Sequence, residues 1–299
     1  MTKVTVYIPS YNCARYLPEA LESVFSQTMK DWELIIINDG STDNTSQILE
    51  AYKNKPQVRI VEQENKGLNV TNNIALRLAN GKYIMRLDAD DFIDENALLI
   101  LSNTLDQRPE IGLVYPDYYE IDEKGEILGQ IRLSKLSQNK KLLDLPAHGA
   151  CTMFRKDILS QLGGYCERFS CQDGYELWLR FIQKFRPYNV NIPLFYYRQH
   201  NASLTANQKK ILETRRAIKS DFVKNQLKSQ KLNILAIIPA TRHSVYIQSD
   251  PFKDLFGKPL IWYTLSEVEK TTYFERIILS SEEDEVRSEE RRVGKECAT

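Results

Sequence analysis

The sequence predicts an α/β protein, a mostly parallel sheet with helices on both faces, and two observations carry that prediction. Short, continuously apolar runs rich in β-branched residues recur through residues 4–87, as strands buried on both faces require. Between them lie segments whose apolar residues return every three or four positions, the spacing of helices that cover a sheet.

Residues 4–9 form the first apolar run, and Leu17, Ala20, Leu21, Val24, Phe25 and Met29 follow at helical spacing. A second run spans 32–37. Ile48, Leu49 and Tyr52 then lie on a helix that Ser41, Thr42 or Asp43 can cap. A third run at 58–61 precedes a helix over 69–79, ended by Asn80-Gly81, and a fourth strand is predicted at 83–87. This alternation implies βαβ units. Residues 206–231 are helical in pattern and highly charged, which reads as a connector. A fresh apolar run at 232–239 opens a partial second α/β unit.

With 299 residues the chain can hold one large domain or two modest ones. Its 40 basic and 40 acidic side chains cancel, so no net field draws it to nucleic acid. The Lys- and Arg-rich stretch at 209–231 reads as a solvated helix face. No apolar run reaches bilayer-crossing length, so no transmembrane segment is predicted. A strand at the very start argues against a signal peptide. Cys13, Cys151, Cys166, Cys171 and Cys297 show no CxxC spacing and read as free thiols in a reducing compartment. The expected location is the cytoplasm, with peripheral contact at the inner face of the cell membrane left open.

In open α/β sheets, ligands bind beyond the carboxyl ends of the strands. Those ends carry Ser10-Tyr11-Asn12, Asn38-Asp39-Gly40-Ser41 and Asp88-Ala89-Asp90-Asp91. A crevice holding Asp39, Asp88 and Asp90 is strongly negative unless a cation enters it. Oxygen ligands of this kind suit Mg²⁺ or Mn²⁺, which can bridge to phosphate oxygens. Each cluster taken alone has a plainer explanation: a turn at Asp39-Gly40, a helix start at 88–91, a helix cap at Ser10-Tyr11-Asn12. Their recurrence at three strand ends of one sheet favours binding.

Beyond these clusters, further short motifs stand in a fixed order. Val6-Tyr7-Ile8-Pro9-Ser10-Tyr11-Asn12, Ile36-Ile37-Asn38-Asp39-Gly40-Ser41-Thr42-Asp43 and Asn65-Lys66-Gly67-Leu68 come first. Asn73, Gly81 and Arg86-Leu87-Asp88-Ala89-Asp90-Asp91 follow, then Gly163-Gly164-Tyr165, Gln172-Asp173-Gly174-Tyr175-Glu176-Leu177-Trp178-Leu179-Arg180 and Tyr197-Arg198-Gln199-His200. The set resembles the family 2 inverting glycosyltransferases of the GT-A fold. The resemblance implies a GT-A, Rossmann-like domain over 1–205, a nucleotide-sugar donor (a UDP-sugar above all), a glycan or lipid-linked glycan acceptor, and Mn²⁺ or Mg²⁺ as cofactor. It implies that Pro9, Ser10, Tyr11 and Asn12 wall the donor base and that Asp39 binds the uracil edge. Arg86 and Asp88 carry over as donor contacts, Asp90 and His200 as metal ligands, and Trp178 as an acceptor contact.

Asp173 carries over as the base that takes the proton of the attacking hydroxyl, which predicts inversion at the anomeric carbon. The sequence departs from the commonest form there, with Gln172 in place of a glutamate and Gly174 following. A plain amphipathic helix with Leu177, Trp178 and Phe181 in the core explains the same segment, and both readings hold together if Asp173 starts the helix. His200, taken by itself, is a residue more often structural. Donor and acceptor choice is expected to lie in 115–150, where Asp117, Tyr118, Tyr119 and His148 are plausible contacts. A non-catalytic sugar-nucleotide binder is the alternative function, and nucleotidyl transfer by the far end of the chain is another. The joint presence of Asp39, Asp88, Asp90 and Asp173 favours the transferase.

At that far end, Ile237-Ile238-Pro239-Ala240, Gly257-Lys258-Pro259-Leu260 and Ile277-Ile278-Leu279-Ser280-Ser281 resemble the start of cytidylyltransferases that activate sialic acid or related sugar acids. The loop that cradles a triphosphate in that family falls here on 241–250. It has no glycine, and Asp250 stands where a lysine is expected. A phosphate cradle needs close backbone approach and positive charge, so 232–286 reads as a partial, degenerate relative. Residues 287–299 resemble the translation of a sequencing-library adapter and are expected not to be native; a charged helical tail is the alternative.

Overall fold

A computed structural model describes residues 2–133, 149–200, 208–229, 235–239, 253–270 and 276–280. The chain divides into two compact units, Met1–Phe222 and Val223–Thr299.

The first unit is built on a nine-stranded sheet. Its opening half alternates β1 (Val4–Ser10), α1 (Leu17–Phe25), β2 (Trp32–Asp39), α2 (Thr45–Glu50), β3 (Val58–Gln63), α3 (Leu68–Leu78) and β4 (Tyr83–Arg86). These strands lie in the order β3-β2-β1-β4 and all run parallel. The predicted runs are all present, and β1, β2 and β3 extend by one or two residues into the polar clusters at their ends.

The second half carries β5 (Phe92–Ile93), α4 (Ala97–Gln107), β6 (Ile111–Ile121), β7 (Ile127–Ile131), β8 (Met153–Arg155), α5 (Lys156–Gln161), α6 (Asp173–Phe181) and β9 (Arg186–Arg198). It continues the sheet as β4-β8-β6-β9-β5, with β7 on β6. Here the pairing is mixed: β8 is antiparallel to both β4 and β6, whereas β9 runs parallel to β6.

Period-two alternation sends the strands' side chains into two cores. Val4, Val6, Ile8, Leu34 and Ile36 pack with Leu17, Leu21 and Val24 of α1 and Leu98, Leu101 and Leu105 of α4. Tyr7, Ile35 and Ile37 face the other way, against Ala75 and Leu76 of α3 and Leu177, Trp178 and Phe181 of α6. Each fully buried aliphatic side chain contributes about 1.5–3 kcal/mol. Burial of both faces is what the continuous apolar runs encode, and the helices on either side make the architecture α/β.

Helix α7 (Gln208–Ser229) follows. The sequence expectation ends the first domain at 205 and treats 206–231 as a connector, but the compact unit runs to Phe222. The reason is a small apolar contact: Ile218 is buried with Tyr175 and Leu179 of α6, and Phe222 and Phe169 pack beside them.

In the second unit, β10 (Leu235–Pro239) pairs in parallel with β13 (Arg276–Ser280). Between them in sequence come the hairpin of β11 (Asp254–Leu255) and β12 (Lys258–Pro259) and helix α8 (Leu260–Glu269). A parallel pair connected through a helix is the α/β pattern expected there. The 241–250 loop and the 287–299 tail lie outside the described residues. Among the described residues, no helix is long and apolar enough to cross a membrane.

Candidate active site

The ends of β1 and β2 are stitched together by side chains that bond to backbone. The Asn12 amide donates to Ser41 Oγ at 3.0 Å, and Asn12 Oδ1 accepts from the Thr42 amide at 2.8 Å. Asn12 holds φ 54°, a left-handed conformation that Asn tolerates better than most residues. The Ala14 amide donates to Asp43 Oδ2 at 2.9 Å, while Asp43 Oδ1 receives the Thr45 amide and hydroxyl at 3.0 and 2.6 Å. Of the three residues offered as caps for α2, Asp43 is the one that engages its first turn. Burial pushes the Asp43 carboxyl up, but the bonds from Thr45 and Ala14 outweigh it and leave the group below its ordinary value.

Asp39 is buried, and both of its oxygens are engaged. Oδ1 accepts from Gln63 Nε2 at 2.6 Å and the Lys66 amide at 2.8 Å; Oδ2 accepts from the Gly67 amide at 2.9 Å. The residue expected at the uracil edge therefore braces the β3–α3 loop. Gly40, at φ 74°, lets that loop pass close by, since a Cβ here would stand 2.7 Å from the Asn65 nitrogen. Gly40, Ser41, Gln63 and Asn65 line an open groove between the two loops. Of the four residues expected to wall a base, Tyr11 is half exposed (50%) and Asn12 is exposed, Pro9 is partly buried, and Ser10 is sealed inside.

Beyond β4 the chain makes a tight turn, the Asp91 amide donating to the Asp88 carbonyl at 3.1 Å. Asp88 pairs with Arg86, Nε to Oδ1 at 2.8 Å, and the Arg86 guanidinium is buried. Gly149 lies directly against that guanidinium: an added Cβ would sit 2.6 Å from Arg86 Nη2. Asp90 Oδ2 is 2.8 Å from His200 Nε2, and the His200 ring lies 5.2 Å from that of Tyr16. Asp91, offered by the sequence for a helix start, instead accepts from the Arg198 amide at 2.8 Å. Burial first, then the Asp90 and Asp88 charges, push its carboxyl well above the usual carboxylate range.

Arg198 was not singled out by sequence reasoning, yet it ties this turn down. It is 2% exposed. Its Nε donates to the Asp90 carbonyl at 2.9 Å and its Nη1 to the Asp122 carbonyl at 3.1 Å, while Nη2 pairs with Glu19 and the guanidinium lies 4.8 Å from the centre of the Tyr16 ring. An arginine at the end of a strand carries no local signal of such a role. Cys13 reports the same convergence electrically. Burial, reinforced by the charges of Asp90, Asp88 and Asp43, pushes its thiol up to about 12, so the β1 loop lies within the field of the carboxylate turn.

On the opposite wall, α6 begins at Asp173, whose side chain lies outside the described residues. A Cβ on Gly174 would meet the Gly149 Cα at 3.4 Å. Gly149 is thus the shared neighbour of the α6 start and the Arg86 guanidinium. Trp178 does not line an open cleft: it is 3% exposed in the core, edge-on to Tyr115 at 6.0 Å. The helical spacing of Leu177, Trp178 and Phe181 turns it inward, which leaves the acceptor role expected of it without an exposed surface. Asp117 is also structural, accepting from the Leu133 amide at 3.0 Å and Asn189 Nδ2 at 3.1 Å. Tyr118 and Tyr119 pack on Phe195 and Tyr196 of β9. His148 lies outside the described residues.

Among the described residues, no three His, Cys, Asp or Glu side chains close into a metal cage. A divalent ion coordinated largely by diphosphate oxygens needs only one or two protein ligands. Asp90 and His200, an oxygen and an imidazole nitrogen side by side, fit Mn²⁺ or Mg²⁺ in that mode.

Residues 5–163 match the Glycosyl transferase family 2 profile, and the chain belongs to that family. It is 33% identical to Escherichia coli chondroitin synthase over 181 residues, 60% of this chain and 26% of the relative. It is 30% identical to Pasteurella multocida hyaluronan synthase over 190 residues, 62% of this chain and 19% of the relative. An uncharacterized glycosyltransferase of Rickettsia prowazekii is 31% identical over 242 residues, 77% of this chain and 74% of that protein. The chain therefore spans about a quarter or less of the chondroitin and hyaluronan synthases it matches. Among solved structures, residues 1–349 of S. aureus TarS in complex with UDP-GlcNAc superpose with a TM-score of 0.60 at 20% identity, covering 69% of this chain and 61% of that fragment. A mannosyltransferase from Pyrobaculum calidifontis in complex with GDP-Man and Mn²⁺ gives 0.51 at 20% identity, over 65% and 56% of the two chains. These likenesses show the fold, a GT-A-like α/β sheet.

Proposed function

We propose that the chain transfers a sugar from a nucleoside-diphosphate donor, a UDP-sugar, to a hydroxyl of a glycan or lipid-linked glycan, with inversion, in the synthesis of a surface polysaccharide or glycoconjugate. One observation carries the reading. The Asp88–Asp90 turn, held by Arg86, Arg198 and His200, meets the segment after β1 through the Tyr16–His200 ring contact and abuts the start of α6 through Gly149. The relatives named as chondroitin and hyaluronan synthases support a polysaccharide product, and the TarS complex with UDP-GlcNAc supports a UDP-sugar.

In this mechanism Tyr11 and Asn12 receive the base, Arg86 and Asp88 orient the donor, and Asp90 and His200 hold Mn²⁺ or Mg²⁺. When bound, a divalent ion held there would supply charge neutralisation for the departing diphosphate; the mannosyltransferase complex with Mn²⁺ supports that choice. The acceptor oxygen forms its bond to C1 as the C1–O bond to the diphosphate breaks. Asp173 takes the hydroxyl proton late, when the attacking oxygen has become acidic. Attack opposite the leaving group inverts C1. The four described cysteines are all free thiols, which fits a reducing compartment, and we place the reaction in the cytoplasm with peripheral contact at the inner membrane face.

The second unit reads as a partial cytidylyltransferase relative on its three sequence matches, which the parallel β10–β13 pair accommodates. Mn²⁺-dependent release of nucleotide from a panel of donors, compared between the unaltered chain and Asp90→Ala, tests the proposal. Release that is unchanged in the variant sinks the metal assignment, and no release from any donor–acceptor pair sinks the transferase.

A further inference from the structure

We infer that Arg215 of α7 is a positioning residue for the start of α6, and so for residue 173; the inference rests on the reading of Asp173 as the base. Four contacts along one helix face converge on the segment around residue 173. Arg215 Nε donates to Gln172 Oε1 at 2.6 Å, and the same guanidinium lies 5.3 Å from the centre of the Tyr175 ring. Cys171 Sγ is 3.2 Å from Thr214 Oγ1, and Ile218 is buried against Tyr175 and Leu179.

Gln172 needs this support. Its φ of 61° is left-handed, a conformation disfavoured for a residue that carries a Cβ, and such a residue persists only where its surroundings over-determine it. Its carbonyl also accepts from two amides in the first turn of α6, Tyr175 at 3.1 Å and Glu176 at 3.2 Å. The torsion of Gln172 thus sets where α6 begins, and Arg215 fixes its side chain. Rigid placement of a reacting group within a fraction of an ångström separates a productive site from a slack one. Helix α7, which the sequence suggests is a connector, thus braces the start of α6.

The test uses the full chain with Arg215→Met, Gln172→Ala, the double variant and Arg215→Lys. Each single change should lower kcat for transfer about tenfold, leave the donor KM within about twofold, and combine to no more than the larger single loss. Arg215→Lys, which retains a donor, should recover part of the rate. Independently of turnover, Arg215→Met should speed hydrogen exchange at the Tyr175 and Glu176 amides about tenfold while the Leu87 and Asp91 amides hold. Unchanged exchange at Tyr175 and Glu176, additive losses in kcat, or a donor KM that rises as far as kcat falls would each overturn the inference. An unaltered chain that transfers no sugar sinks the reading of Asp173. A transferring chain whose variants match it sinks the inference alone.

Discussion

The loops after β1 and β2 and the carboxylate turn are held in opposite ways. Asn12 meets Ser41 across 29 residues, and Asp39 meets Gly67 across 28, by side-chain bonds to backbone amides within neighbouring βα units. The Asp88–Asp90 turn is instead tied from far along the chain. His200 reaches Asp90 across 110 residues, and Arg198 links the turn to Glu19 across 179. Donor loops built from their own motifs keep their shape wherever the first parallel strands form. The carboxylate turn has a shape only when the last strand of the sheet has docked.

The largest effect expected is at the carboxylates themselves. Asp173→Asn should lower transfer about 10³-fold while nucleotide binding persists, because it removes a general base and no donor contact; single-turnover transfer beside nucleotide calorimetry measures both. Comparable transfer by that variant rejects Asp173 as the base.

Arg198→Met cuts the remote support and takes the side-chain donor from the Asp90 carbonyl, while the Asp122 carbonyl keeps the Gly125 amide at 3.1 Å. A loss of about 2–4 kcal/mol in unfolding free energy is expected, together with weaker Mn²⁺-dependent nucleotide binding. Asp39→Asn, in the β2 loop, should cost about 1–2 kcal/mol, since the carboxamide oxygen still receives one loop amide while its NH₂ faces the other. Chemical denaturation of the two variants decides the contrast, and a larger loss at Asp39 than at Arg198 would reverse it. Gly149→Ala probes the junction between them. The new Cβ forces Arg86 aside, so the donor KM should rise about tenfold with little change in melting temperature.

The smallest effect lies away from both regions and serves as their control. Burial acts to raise the Asp106 carboxyl, but bonds from Lys82, Tyr83 and Lys3 hold it well below its ordinary value. A depressed folded-state pKa gives stability that is present above the unfolded value of about 3.9 and is lost as pH falls through the folded one. Because the Asp106 side chain is 35% exposed, Asp106→Asn should cost under about 1 kcal/mol at pH 7. It should also flatten the acid limb of the melting curve, and an unchanged limb would remove Asp106 as its source.

Legibility follows the same division. Residues 4–87 could be read because strand runs and helix faces are local periodicities, whereas the cap of α2 was read one residue early: it is Asn44, with Asp43 bonding the Thr45 amide from just outside. Trp178 illustrates a choice that periodicity alone leaves open: the same helical spacing allows a core face or a cleft face, and the core at Tyr115 decides. Arg198, Gly149 and Arg215 were out of reach, since each acts on a partner that only the folded sheet brings near. Helix α7 hid for another reason. Its charged pattern is that of a solvated helix, and Ile218 with Phe222 is too brief an apolar signal to reveal a docked face.

Strand β9 also bears on what counts as the smallest working piece of this protein. The family match stops at residue 163, whereas β9 ends at Arg198, two residues before His200. A fragment trimmed to the matched stretch would keep every carboxylate of the 88–91 turn and lose both side chains that hold Asp90 in place. Substitutions at 198 and 200 are therefore best scored with the carboxylate turn, however distant in sequence they stand.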